Sequence, residues 1–308
     1  MNTRSMEHGA RVLSGVSVAE AIRARIVRDM AGLRAHGVTP TLAVVRSGRD
    51  KAAAAYAGSI RRTAGKVGIA VVEVELPPNA SPEHGLEAIR ECSAAAHVHG
   101  VLLLEPLPPS PDPLSLALAV PPEKDVDGVH PENLGALLAG GAGRATYHDL
   151  QARDDVFLPA TAEAAMEILL AYGIEVSGRE AVVVGAGRVG LPLAVLLLRE
   201  GATPVTLCRR ATADLTTTTR RADLLCVAAG RPRLITADMV KPGATVIDIG
   251  INAASDGVTG DVDFAGVRAV ADAVTPVPGG VGPVTVALLL AHTVRAARAA
   301  ARERSTRE

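Results

Sequence analysis

The chain has no tryptophan, two phenylalanines and three tyrosines in 308 residues. Its core must therefore be assembled from small aliphatic side chains. Hydrophobic residues make up 48% of the sequence, enough to bury a sizeable core. Cysteine is nearly as scarce: Cys92, Cys208 and Cys226 are odd in number, far apart and without CxxC spacing. That pattern argues against a disulfide framework and against a zinc site. The net charge of -1 gives no global attraction to nucleic acid or to an anionic membrane. The opening "MNTRSMEHGARVLSG" lacks the apolar run of a signal peptide. No uncharged apolar stretch approaches the roughly 18 to 20 residues of a membrane span. These absences predict a cytoplasmic protein with no nucleic-acid and no membrane partner.

What is present is an alternation of strands and helices. Helical periodicity over 16–37 is followed by an apolar strand, "PTLAVVRSG" (40–48), and by a helix through Tyr56 (52–69). Strand 69–77, helix 81–96 with serine at its cap and proline in its first turn, and strand 98–108 complete one βαβα run. The segment 131–158, rich in glycine and alanine and then polar, reads as a link between domains. A helix over 161–173 precedes a second run, with strands at the start of 179–201 and at 203–208, 222–230 and 244–251. The last helix, 282–305, turns basic near its end, as the helix dipole favours. The tail "ARERSTRE" is expected to fray. "TTTTRR" (216–221) reads as a loop or helix start. The rhythm predicts an α/β protein with parallel sheets and helices on both faces.

"VVVGAGRVG" places Gly185, Gly187 and Gly190 directly after an apolar strand and at the opening of a helix. In that context GxGxxG reads as a dinucleotide loop: a tight turn, a close approach for pyrophosphate, and close helix–strand packing. The helix N-terminus adds free N–H groups and positive potential. Gly185, Ala186, Gly187, Arg188, Val189 and Gly190 are the expected phosphate-binding residues. The next strand ends "LCRRAT", with Arg209 and Arg210 where an NAD site usually carries an acid. That substitution favours NADP, with NAD the alternative. His97 and His99 at a strand start are either hydrogen-bonded structural residues or a metal pair.

Several motifs resemble one family. "TPVPGGVGPVT" (275–285), "PPEKDVDGVHPENLG" (121–135), "VHGVLLLEPLP" (98–108), "VIDIGIN" (246–252) and "GDVDF" (260–264) are similar, and in the same order, to motifs of the methylenetetrahydrofolate dehydrogenase/methenyltetrahydrofolate cyclohydrolases. The resemblance runs from about residue 11 to residue 300. It implies two α/β domains with a cleft between them: a folate-binding catalytic domain over 1–148 and 284–308, and a Rossmann NADP-binding domain over 149–283. The C-terminal helix returns to the first domain. The resemblance also implies tetrahydrofolate as the one-carbon carrier substrate, a homodimer, a cofactor contact at Ile251, and a substrate loop with Pro278, Gly279, Gly280 and Pro283.

In that family a tyrosine stacks on the folate, and a lysine one helical turn later serves the cyclohydrolase step. A glutamine supports the lysine, and an aspartate in "KDVDG" holds the pterin. Tyr56 and Asp127 match the tyrosine and the aspartate. The lysine position holds Ile60, the glutamine position Leu104, and the next residue is Glu105. Arg61 and Arg62 lie roughly 100° and 200° around the helix and cannot stand in, and arginine does not act as a base. The expectation is hydride transfer between 5,10-methylenetetrahydrofolate and NADP, with cyclohydrolase activity weak or lost. Tyr56, Asp127 and Glu105 are the candidate catalytic residues, and Ile60 and Leu104 line the substrate. Two alternatives stand beside it: another one-carbon or imine substrate worked on by a buried Glu105 of raised pKa, or a non-catalytic folate- or nucleotide-binding paralogue.

Overall fold

The computed structural model describes residues 9–48, 50–107, 112–139, 146–254 and 257–307. The strands among them are β1 (Arg11–Val12), β2 (Thr41–Ser47), β3 (Ala70–Leu76), β4 (Gly100–Leu104), β5 (Ala181–Val184), β6 (Val205–Cys208), β7 (Leu224–Val227), β8 (Thr245–Asp248), β9 (Asn252–Ala254), β10 (Gly257–Thr259) and β11 (Ala273–Val274). The helices are α1 (Gly15–Ala35), α2 (Lys51–Val67), α3 (Pro82–Ala94), α4 (Pro113–Leu118), α5 (Pro131–Leu138), α6 (Tyr147–Gln151), α7 (Ala160–Ala171), α8 (Gly190–Arg199), α9 (Leu215–Thr219), α10 (Phe264–Val267) and α11 (Val281–Arg307). Two compact units result. One takes the described residues of 1–18, 140–149 and 161–285, the other those of 19–139, 150–160 and 286–308.

The first unit is built on a six-stranded parallel sheet of order β1-β11-β8-β7-β5-β6. β5 is flanked by β6 on one side and by β7 on the other, so the strand order reverses there. That is the switch point at which doubly wound sheets bind ligands. Val182 and Val184 of β5, Leu225 and Val227 of β7 and Val246 of β8 share one buried cluster. All four residues of β5, β7 and β8 are buried, as strands covered on both faces must be.

The second unit holds a three-stranded parallel sheet, β3-β2-β4, in which Leu42 pairs with Gly100, Val44 with Leu102 and Arg46 with Leu104. Ala43, Val45 and Val101 pack on one face with Ile89 of α3 and Leu116 of α4. The opposite face carries Arg46, ion-paired to Glu73 and Glu75 of β3, while Arg61 of α2 pairs with the same Glu73.

The two units and the expected domains differ in several stretches, among them the described part of 140–148, which goes with the six-stranded sheet, where Tyr147 N–H donates to Glu200 Oε2. Residues up to Val18 belong with the six-stranded sheet, because β1 extends it beside β11. Residues 150–160 belong with the three-stranded unit, where the Phe157 N–H donates to Asn133 Oδ1 at 3.1 Å. The segment expected to be a plain link contains α5 and α6, and Tyr147 on α6 is fully buried. Its residues 140–145 lie outside the described chain. The tail does not fray within the described residues: α11 continues to Arg307, and Arg302 pairs with Asp154 at 2.8 Å. Residues Val281–Arg304 of α11 are long and apolar enough to cross a membrane, but 67% of that apolar window is buried, as in a core helix.

Candidate active site

The glycine loop follows β5 at the switch point, as the sequence predicts. Its three glycines are there for different reasons. Gly185 has φ +116°, and a Cβ on it would run into the Ala228 carbonyl. A Cβ on Gly190 would run into the Gly185 carbonyl. Both are required by the protein's own packing. A Cβ on Gly187 would meet nothing within 4 Å, so only a bound group can require a glycine there. Helix α8 begins with Val189 at its cap and no side chain accepting from its first N–H groups. Within that turn Leu191 N–H donates to the Gly187 carbonyl and Pro192 has no N–H, so what the helix end offers an anion is its positive potential. Arg188, Arg209 and Arg210 are exposed, the last two directly past the end of β6.

Other loops at this end of the sheet are held by two buried carboxylates. Asp248, the last residue of β8, accepts from the N–H groups of Gly250, Asp261 and Val262. Asp261 accepts from Ala229, Gly230 and Arg231 N–H and from Asn252 Nδ2. Burial pushes the Asp248 carboxyl up to about 6, its three N–H donors opposing the rise and the nearby Asp261 charge adding to it. The motifs "VIDIGIN" and "GDVDF" thus have a structural task that sequence reading left unassigned. Ile251 beside them is 62% exposed, an unusual position for an apolar side chain. In the loop before α11, Gly279 takes φ +102° and its carbonyl accepts from Gly15 N–H. Pro278 is exposed, Gly279 and Pro283 are partly so, and Gly280 is buried.

In the three-stranded unit the loop 124–128 is pinned residue by residue. Lys124 Nζ donates to the Ser93 and Ala95 carbonyls at 2.7 and 3.1 Å. Asp125 accepts from His130 N–H and Asn133 Nδ2. Val126 offers its carbonyl to His292 Nδ1 at 2.8 Å. Gly128 has φ +71°, with the Leu158 backbone where a Cβ would be. Asp127, between Val126 and Gly128, is half-buried, and its backbone carbonyl accepts from Ala160 N–H. Lys124, Asp125, Gly128 and His292 are supporting residues that sequence reasoning did not single out. The density of the "EKDVDG" string hinted at the first three, and no local signal pointed to His292.

Helix α2 is capped by Asp50, which accepts from the N–H groups of Ala52 and Ala53, and it ends at Gly68 in the left-handed region. It buries Ala53, Ala57, Ile60, Ala64 and Val67 as one stripe. Tyr56 is partly exposed beside that stripe. Burial of its hydroxyl, and then the negative charge of Asp127, push the Tyr56 phenol far above its ordinary range, so it stays neutral. Asp127 is thus near enough for its charge to act on the Tyr56 hydroxyl. Ile60 is fully buried and Leu104 nearly so, which makes both packing residues rather than open walls. Isoleucine is shorter than lysine and ends inside the stripe. Glu105 departs from the buried acid of the second sequence reading: it is exposed at the end of β4. Arg61 points to Glu73 at 2.6 Å, away from the stripe.

A doubly wound sheet with an open glycine loop at its switch point defines a dinucleotide-binding α/β protein. Residues 159–301 match the profile of the tetrahydrofolate dehydrogenase/cyclohydrolase NAD(P)-binding domain, and residues 13–127 that of the catalytic domain. The bifunctional protein FolD of Bordetella avium is 44% identical over 290 residues, 94% of this chain and 97% of its own. The solved bifunctional FolD enzyme of Campylobacter jejuni is 36% identical with a TM-score of 0.85, covering 94% of this chain and 99% of its own. The Trypanosoma brucei methylenetetrahydrofolate dehydrogenase-cyclohydrolase, solved with NADP and an inhibitor, is 35% identical with a TM-score of 0.86, covering 96% and 99%. The chain belongs to the tetrahydrofolate dehydrogenase/cyclohydrolase family.

Proposed function

We propose that this family member is an NADP-dependent methylenetetrahydrofolate dehydrogenase whose cyclohydrolase step has been lost or reduced to a trace. The observation that carries it is on α2: the helix keeps a tyrosine beside Asp127 but buries Ile60 at the next turn. Hydride transfer asks little of side chains. NADP, when bound, supplies the acceptor: the methylene C–H bond breaks, and the hydrogen leaves with both electrons for the nicotinamide C4. The charge left on the one-carbon unit is shared by the adjoining folate nitrogens, and no proton is passed to the protein. The chain's residues bind and align. Tyr56, kept neutral, offers a ring face and a hydroxyl donor. Asp127 offers a carboxylate to the pterin. The α8 N-terminus and open Gly187 hold the pyrophosphate, Arg209 and Arg210 the 2′-phosphate, and Ile251 the ring end of the cofactor. The loop through Pro278, Gly279, Gly280 and Pro283 takes part in substrate binding. Family resemblance supports a homodimer and a cytoplasmic location.

Opening a methenyl bridge is different, because water must lose a proton and a nitrogen must gain one. Ile60 and Leu104 offer no group for either transfer, and Glu105 is exposed at the end of β4. The test is an absorbance assay in two arms. Methylenetetrahydrofolate with NADP should give reduced cofactor, faster than with NAD. Methenyltetrahydrofolate should decay hardly faster with protein than in buffer. Cofactor binding without turnover would make the chain a binding paralogue, and rapid methenyl decay would end the monofunctional reading.

A further inference from the structure

The three-stranded unit contains a cavity of about 240 Å³ that the proposed activity does not use. One wall is apolar, from Val98, Ala96 and, on successive turns of α11, Ala296, Ala299 and Ala300. The other carries His99, Lys124, Arg304, Glu123 and Glu303.

His99 is 5% exposed, and its two ring nitrogens are unequal. The backbone N–H of Thr41 donates to Nδ1 at 3.2 Å, so Nδ1 carries a lone pair. Burial, and then the positive charges of Arg304, Lys124 and His97, hold the imidazole down at about 4, so it is neutral at pH 7. A neutral ring that accepts at Nδ1 has its proton on Nε2. Nε2 is buried and has no hydrogen-bond partner. A buried donor left unmade costs on the order of 1 to 3 kcal/mol, so such a group calls for an acceptor.

The surroundings select the acceptor. Lys124 Nζ spends two of its three protons on the Ser93 and Ala95 carbonyls and retains one. Two cations and two carboxylates line the space, so a dianion gains little over a monoanion. The alanine wall suits a short apolar body. Cavities of about 150 Å³ hold benzene, so this one has room for a ring and a head group.

We propose that this cavity is a binding site for a small monocarboxylate, its head on His99 Nε2–H, Lys124 and Arg304 and its apolar body against the α11 alanines. The site shares Lys124 with the support of the Asp127 loop but takes none of the residues assigned to folate and NADP, and does not depend on that assignment.

Benzoate is the probe, with inorganic phosphate as the second arm. The full chain is titrated at pH 7 by calorimetry, and the Nε2–H signal of His99 is followed by NMR. The expected result is one saturable benzoate site per chain, a shifted Nε2–H, and phosphate at least tenfold weaker. Ala299→Leu, which fills the cavity without touching a polar group, should weaken benzoate at least tenfold while thermal stability and dehydrogenase turnover stay unchanged. Arg304→Gln at the exposed rim should weaken it several-fold. No saturation by roughly 50 mM benzoate, about 2 kcal/mol of binding by RT ln Kd, would overturn the proposal. So would equal binding of phosphate, or binding indifferent to Ala299→Leu.

Discussion

At the scale of single residues, the glycines of the nucleotide loop separate packing from ligand. Gly190→Ala places a methyl against the Gly185 carbonyl, so the variant is expected to be poorly folded. Gly187→Val meets open space and is expected to keep its melting temperature while losing NADP affinity, because the added side chain stands where the pyrophosphate must approach. A titration with unchanged affinity would remove this loop from the cofactor site. Replacing both Arg209 and Arg210 by alanine should cost NADP at least a factor of ten and leave NAD nearly untouched, since a charge-assisted phosphate contact contributes roughly 1.5 to 3 kcal/mol. Equal losses for both cofactors would show that these arginines do not read the 2′-phosphate. Asp248 makes a prediction about pH. Its folded pKa, about 6, lies above the unfolded value. The stability it contributes is therefore present below the unfolded value and is lost as pH rises through about 6. The stability difference between the natural protein and Asp248→Asn should favour the natural protein more at pH 4.5 than at pH 7. A difference that does not change between those values would mean that the carboxyl titrates normally.

At the scale of elements, helix α2 shows what a sequence can and cannot disclose. The helix itself, expected over 52–69 and found over Lys51–Val67, and the alternation around it were legible because periodicity is local, whereas its caps Asp50 and Gly68 were not read. The identity of its faces was legible too: Arg61 does point elsewhere, to Glu73. Whether Ile60 reaches a surface was not, since that depends on what packs over the stripe. The exposure of Glu105 was hidden for the same reason. The helices α5 and α6 were missed because glycine and polar residues dilute the periodicity, and Tyr147 is buried by partners distant in sequence. The consequence for α2 is testable. Ile60→Lys buries an ammonium in an apolar stripe, and a loss on the order of 3 kcal/mol is expected, with little gain in methenyl hydrolysis. Ile60→Lys with Leu104→Gln should recover part of the stability and more of the activity, because an amide can accept from the lysine. Thermal melts and the decay of methenyltetrahydrofolate absorbance on both variants decide it, and a double variant no better than the single one would separate Leu104 from this task.

At the scale of the whole molecule, the chain moves between its two units after Val18, Ala139, Asp149, Ala160 and Thr285. The three-stranded unit depends on the last of these passages. Thr293 packs where Gly100 has no side chain, His292 holds the Val126 carbonyl, and Arg295 donates to the Val156 carbonyl at 2.6 Å. A chain ended at Thr285 is expected to retain slowly exchanging amides in β5, β7 and β8 but not in β2 and β4, as hydrogen exchange would show. Full protection of β2 in that shortened chain would mean that the end of α11 is dispensable. The same arrangement sets a schedule during synthesis. The apolar strands β2 and β4 leave the ribosome early, yet the helix that closes over them is translated last. At 5–20 residues per second the wait is roughly 10 to 40 seconds. For that interval the nascent chain exposes an unfinished sheet, so the first sheet to be made is the last to be completed, and its yield is governed by what shields it in the meantime.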